Sequence, residues 1–155
     1  MLATRTTSLV VQPLSVEDMG LFSLFLEEGL AELNRKIKAD YLLNDLIEEC
    51  SVGATTCLIV ADTFLKIPVG FFALTVNIHK GFTSITISSA YATRSISPIG
   101  LKVCLQKAVE FAIIVGAREV EFYSPRRGWK KIAINLGFNL NRESDGKYHF
   151  IMKVK

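Results

Sequence analysis

Several things are scarce in this chain, and each scarcity removes a class of protein. Histidine occurs twice, as His79 and His149, so a serine-histidine-acid nucleophile cannot be assembled with any redundancy, and no metal-ligand spacing is visible. The cysteines are three, Cys50, Cys57 and Cys104, odd in number and without a C-x-x-C pair, which indicates neither a disulfide framework nor a zinc knuckle. Buried thiols in a reducing compartment are expected. No run approaches the roughly 18 apolar residues of a membrane helix, and Met1 to Gln12 lacks a basic segment followed by an uninterrupted apolar one. The expectation is a soluble, cytoplasmic protein with no membrane partner. Excess charge is also missing: 18 basic against 15 acidic side chains leave a net +3, too little by itself to point to nucleic acid.

What is present is apolar residues, 50% of a 155-residue chain, with 21% charged. That composition describes a packed globular fold, and the length suits one domain over 1–155 with a full core. The pattern begins with a strand, Ser8 to Leu14, ending at Ser15, whose spacing to Asp18 makes it an N-cap with Leu14 and Met19 as the flanking staple. Met19, Phe22, Leu26, Leu30, Leu33 and Ile37 recur every three or four residues and predict one long helix against a sheet. A shorter helix is expected from Asp40 to Glu49. Thr55–Ala61 and Val69–Asn77 form a hairpin, the turn His79-Lys80-Gly81 follows, and Phe82 to Tyr91 is a serine-rich strand with Ile85, Ile87 and Ser89 on one face.

Ser97 as N-cap and Pro98 at the first helical position start the next helix. Its stripe is Leu101, Leu105, Ala108, Val109, Ala112 and Ile113, and Gly116 ends it in a left-handed conformation. Val120 and Phe122 alternate in a buried strand. A basic loop, a helix over Trp129 to Leu136, a stop at Gly137 and a closing pair of strands complete the chain. Tyr148, Phe150, Met152 and Val154 share a face of the last strand, with Asn141 to Lys147 as its turn.

The order β, α, α, β, β, β, α, β, α, β resembles the GNAT-type N-acetyltransferase superfamily over nearly the whole chain. The resemblance implies an α/β (α+β) fold with a mixed, mostly antiparallel central sheet and helices on both faces. It also implies a pyrophosphate loop of pattern Q/R-x-x-G-x-G/A, corresponding here to Ser95-Ile96-Ser97-Pro98-Ile99-Gly100. Only Gly100 matches. Ser95 replaces Gln or Arg, and Pro98 replaces the first glycine and lacks an N–H donor. Acetyl-CoA as co-substrate would then be held by the backbone of Ser95, Ile96, Ser97, Ile99, Gly100 and Leu101, by the positive helix end, and by Arg94 and Lys102.

Gly137-Phe138 matches the family's closing motif, whereas Ala133 stands at the tyrosine that acts as general acid and Arg126 at an asparagine. Tyr123 is the nearest phenol to take over the acid role. The strand from Phe82 to Arg94 holds no Asp, Glu or His, so Glu121 and His79 are the base candidates by elimination. Arg126, Arg127, Lys130 and Lys131 surround Trp129, a cluster suited to a nucleotide phosphate or an acidic protein. Two functions follow: acetyl transfer from acetyl-CoA to a small-molecule or protein amine, or a catalytically inactive GNAT-fold protein that binds another protein. The degenerate pattern is similar to bacteriophage-encoded GNAT-like proteins, some virion-associated, which would place it in a host cytoplasm or a virion.

Overall fold

The computed structural model describes residues 9–93, 97–124, 127–144 and 146–154, and for 97, 98, 127, 128 and 144 only the backbone element. Strand β1 (Leu9–Leu14) leads through a helical turn (Val16–Met19) and a 3₁₀ turn (Gly20–Phe22) into α1 (Ser23–Ile37), followed by α2 (Leu43–Ser51). Strands β2 (Thr55–Asp62), β3 (Ile67–His79) and β4 (Phe82–Ala92) precede α3 (Ser97–Val115). Then come β5 (Glu119–Ser124), α4 (Arg127–Asn135), β6 (Asn139–Ser144) and β7 (Lys147–Lys153). The strands form one sheet in the order β1-β2-β3-β4-β5-β7-β6. Every pairing is antiparallel except β4 with β5, which are parallel. A parallel pair requires a crossover, and α3 supplies it.

The middle strands are apolar on both faces, so the sheet carries a core on each side. On one side Leu58, Val60, Phe72, Leu74, Ile85 and Phe122 pack under α3 and α4. On the other, Cys57, Ile59, Phe71 and Ala73 pack with Met19, Leu26, Leu30 and Leu46 of the α1–α2 layer. Phe71 and Phe72, adjacent in sequence, point to opposite cores, as the period of two requires. The anticipated mixed sheet with helices on both faces is therefore what the chain forms.

Local chemistry sets the ends of the helices. Ser15 Oγ accepts the Asp18 N–H at 3.2 Å, as its spacing suggested. The single long helix expected after it is instead broken by the 3₁₀ turn at Gly20–Phe22, a glycine start that weakens helical continuity, and Ile37 at its far end is exposed. The second helix starts at Leu43, not Asp40, because the Asp45 carboxylate accepts the Leu42 N–H at 2.8 Å and fixes the boundary there. Helix α3 ends in a Schellman motif: Gly116 has φ 75°, and Ala117 N–H donates to Ala112 O at 2.8 Å. Ile113, expected in the stripe, turns outward at 62% exposed, and Cys104, which the expected stripe did not include, is buried beside Leu105. Gly137, at φ 102°, repeats the motif after α4, with Phe138 N–H donating to Ala133 O at 3.0 Å. Helix α4 begins at Arg127, two residues before the expected start. Tyr148, Phe150, Met152 and Val154 do share the α3 side, but residues expected in the last turn, Asn141 to Ser144, belong to β6.

The α1 layer sits close to the sheet because residue 29 is glycine. A Cβ there would lie 2.3 Å from Phe71 Cε2 and 2.8 Å from Tyr91 Cδ2. Those rings cannot easily retreat, since Phe25, Phe71 and Tyr91 pack on one another with centroids 5.6 to 6.2 Å apart. Gly29→Ala should therefore destabilise the protein by about 1–2 kcal/mol in urea unfolding, overpacking outweighing the gain in helix propensity. A neutral or stabilising result would show that the ring cluster yields.

All three cysteines are free thiols. Burial pushes the Cys57 thiol up to about 12, helped by the neighbouring Cys50, and burial alone raises Cys104. Neither should react with a disulfide reagent at pH 8 until the protein unfolds, so labelling of either in native conditions would contradict this packing.

Candidate functional site

The parallel pairing of β4 and β5 is short. It runs Ser84↔Glu119, Ile85↔Val120 and Thr86↔Glu121 and goes no further. Beyond it the strands part, and the next residues outward, Ile87 on β4 and Phe122 on β5, line a cavity of about 270 Å³. The cause of the parting lies on the opposite edge of β4. Leu74 pairs with Ile87 and Ala73 with Ser89, which leaves Ser88 as the extra residue of a β-bulge. A bulge bends its strand and increases twist, turning β4 away from β5. It also reverses the alternation beyond it, so Ala90 faces the α3 core and Ser89 leaves the face of Ile85 and Ile87 on which the strand period had put it.

A chain of hydroxyls pins the bulge. Thr75 Oγ1 donates to Ser88 Oγ at 3.2 Å, and Ser88 Oγ donates to Ala73 O at 3.3 Å. Each hydroxyl has one proton, so the 2.9 Å contact between Thr55 Oγ1 and Thr75 Oγ1 must be donated by Thr55. Thr55 is 4% exposed, and removing its acceptor would strand a buried donor. Thr75→Val should cost about 1–3 kcal/mol in chemical unfolding. A change within a few tenths of a kcal/mol would mean that the bulge holds without this chain.

The cavity passes from the bulge toward α1 and α2, with Leu30, Leu33, Asn34, Tyr41 and Glu49 on that side. Asn34 places Tyr41: its Nδ2 donates to Tyr41 O at 2.7 Å and its Oδ1 accepts Tyr41 N–H at 3.3 Å. The turn needed to bring the chain back is made at Lys38, in the left-handed region at φ 55°. Tyr41 then donates its hydroxyl to Glu49 on α2. Burial, and after it the bond to Glu49, holds the Tyr41 hydroxyl above the ordinary phenol range.

On the α3 side a smaller cavity is lined by Gly70, Ala92, Gly100, Leu101 and Cys104. Ala90 and Trp129 belong to both cavities. Trp129 lies against Phe122 at 5.1 Å between centroids, and Phe122 in turn stacks on Phe150 at 4.9 Å. One cavity thus reaches the start of α3 and the other the α1–α2 layer, and an indole forms part of the wall of each.

The residues singled out from sequence fall in three groups. Gly100 and Leu101 line the smaller cavity, Lys102 is exposed, and Ile99 is on the surface of the same first turn. Arg94, Ser95, Ile96 and Arg126 lie outside the described residues, as do the side chains of Ser97, Pro98 and Arg127. Tyr123 lines the main cavity and is 48% exposed, with its ring stacked on His149 at 4.2 Å. Glu121 shares that face of β5 but lies away from the cavity, with Oε1 3.7 Å from His149 Nε2. His149 is buried; its Nδ1 meets Asn141 Nδ2 at 3.0 Å, and its Nε2 has no hydrogen-bond partner among the described residues. His79 stacks on Phe82 at 4.4 Å and contacts Ser84 Oγ at 2.9 Å, at the hairpin end, and lines neither cavity. Trp129 joins the cavity, while Lys130 and Lys131 face solvent. Ala133, at the position of the family's tyrosine, is 0% exposed and packed in the α3 core. Among the described residues no group of His, Cys, Asp and Glu could hold a metal ion, and no helix is long and apolar enough to cross a membrane.

At the level of sequence, no protein-family model and no curated protein matches this chain. The fold, by contrast, has extensive counterparts among solved structures. One is a chimera of the spermidine N-acetyltransferase SpeG from Vibrio cholerae with hSSAT, at TM-score 0.68 and 15% identity, covering 95% of this chain and 96% of that one. A second is the PaiA N-acetyltransferase from Thermoplasma acidophilum in complex with coenzyme A, at TM-score 0.65 and 17% identity, covering 94% and 99%. A third is a GNAT-family acetyltransferase from Listeria monocytogenes, at TM-score 0.66 and 10% identity, covering 94% of each. The chain has the GNAT fold over nearly its whole length.

Proposed function

We propose that this protein is an N-acyltransferase that moves an acetyl group from acetyl-CoA to an amine. The observation that carries the reading is the parting of β4 and β5 after Thr86 and Glu121, which opens a cavity through the sheet beside the start of α3. Solved proteins of the same fold are acetyltransferases by their names, and one is in complex with coenzyme A, which supports the choice of donor.

In this reading the phosphates of the donor meet the first turn of α3, where unpaired N–H groups and the positive helix end favour an anion, with Arg94 and Lys102 adding charge. Ser95 to Leu101 form that cradle, with Pro98 supplying no donor. Arg126, Arg127, Lys130 and Lys131 add a basic rim. The acyl end reaches the bulge, where β4 no longer pairs with β5 and its backbone N–H groups are turned toward the carbonyl oxygen. The amine nitrogen attacks the thioester carbon, the C–N bond forms, and the C–S pair leaves on sulfur. Tyr123, the β5 phenol in the cavity wall, gives its proton to the departing thiolate. The nitrogen sheds its proton through water to Glu121, two residues before Tyr123 on the same face of β5. Ala133 has no proton to give, so the acid role moves from α4 to the neighbouring strand.

Calorimetric titration with acetyl-CoA should give saturable binding that Gly100→Glu weakens about tenfold or more, since a carboxylate there opposes the phosphates. With an accepting amine, Tyr123→Phe should lower kcat about 100-fold and leave the acetyl-CoA Kd unchanged. Absence of heat at millimolar acetyl-CoA overturns the reading. Donor binding without turnover on any amine favours the alternative, a catalytically inactive protein that binds an acidic protein through the Arg126 to Lys131 cluster.

A further inference from the structure

The walls of the main cavity are mostly apolar, and among the described residues they include a single carboxylate, Glu49, and a single cation, Lys36. These two do not neutralise each other. Lys36 Nζ is 3.6 Å from Glu32 Oε1, on its own helix. Glu49 makes no ion pair among the described residues; its bond is the hydroxyl proton of Tyr41. One hydroxyl satisfies a fraction of the lone pairs that two carboxylate oxygens present. The remaining acceptor capacity faces a space bounded by Leu30, Leu33, Ile37 and Trp129. Glu49 is half-buried, so water hydrates this capacity in the free protein, and an ammonium entering the cavity would gain a charge-assisted bond there.

The surroundings strengthen the sign. Glu49 and Asp45 both act on Tyr41, and Glu28 and Glu32 both act on Tyr91, raising these phenols after the larger effect of burial. The α1–α2 side of the opening is thus negative. Exposed Lys102, Lys130 and Lys131 sit on the α3–α4 side. The two sides of the sheet opening carry opposite charge, which separates an anionic ligand from a cationic one.

We propose, building on the N-acyltransferase reading, that Glu49 anchors the cationic nitrogen of the acceptor, and that the acceptor is a monoamine carrying an apolar or single-ring body. Asn34 and Tyr41 are positioning residues: they hold the carboxylate against the cavity wall. The apolar walls receive the body of the ligand; its nitrogen is held as the ammonium at Glu49 and becomes nucleophilic only after giving up one proton, with Ser88 and Ser89, small side chains on the same cavity wall, leaving it room to approach the bulge. A polyamine is disfavoured because its further ammonium groups would lie against Leu30, Leu33 and Ile37.

The test uses the whole protein without acyl donor. Trp129, the chain's one tryptophan, lines the cavity and reports occupancy by fluorescence. The expected result is saturable quenching or shift by 2-phenylethylamine, weakened about tenfold or more in Glu49→Gln and recovered in part by Glu49→Asp. Equal binding of uncharged 2-phenylethanol, unchanged affinity in Glu49→Gln, or tighter binding of spermidine overturns the proposal. Matching circular dichroism and melting of both Glu49 variants keep loss of fold from imitating loss of binding; should Glu49→Gln fail to fold, the 2-phenylethanol and spermidine comparisons in the parent protein decide alone. Amine binding that depends on Glu49, in a protein that gives no heat with acetyl-CoA, would uphold the cavity assignment while the acyl-transfer reading fails. Acetyl-CoA binding with no dependence on Glu49 would do the reverse.

Discussion

Three residue pairs hold the two halves of the sheet together, from Ser84 and Glu119 to Thr86 and Glu121, and the rest of the architecture follows from how short that seam is. A longer parallel ladder would close the sheet and leave no passage. The ladder stops because Ser88 is one residue too many for β3, and the strand bends to accommodate it. Backbone pairing on one edge of β4 thus decides what is open on its other edge.

The bulge itself rests on groups too small to be noticed singly. Thr55, Thr75 and Ser88 each donate one hydrogen bond in a chain that ends on the Ala73 carbonyl, crossing from β2 to β4. Across the cavity, Asn34 and Tyr41 perform a comparable task for the α1–α2 connection, spanning the turn at Lys38 with two side-chain bonds to one residue. The catalytic reading depends on both devices, since one shapes the strand that meets the acyl group and the other holds the wall that meets the acceptor. Neither device is charged, so neither is weakened by salt as a surface ion pair would be.

The fold was largely legible from pattern because its determinants are periodic. Val120 and Phe122, or Leu105 and Ala108, announce their face by spacing alone, and Gly116 and Gly137 announce helix ends that require a positive φ. The bulge was not legible, because Ser88 and Ser89 fit an ordinary alternating strand and the extra residue is defined only against β3. Tyr123 was found from sequence as a strand-end phenol, whereas Glu49 and Tyr41 were not, since eight positions and a helix start separate them and nothing periodic relates them. Glu121 was a base candidate by elimination; its neighbour His149, with Nε2 3.7 Å from the carboxylate, comes from β7, a proximity that only the sheet order creates. Ala133 was read as a missing phenol, and its full burial beside Phe138 shows what the smaller residue permits: a tight helix end under the sheet.

Trp129 and Ala90 form a wall common to both cavities, so the two spaces are not independent compartments. A ligand that shifts the indole on one side alters the shape offered on the other. Such coupling is reciprocal by thermodynamic necessity: whatever free energy the first occupant contributes to the second, the second returns to the first. Because one ring lines both spaces, occupancy of either would be felt at the other.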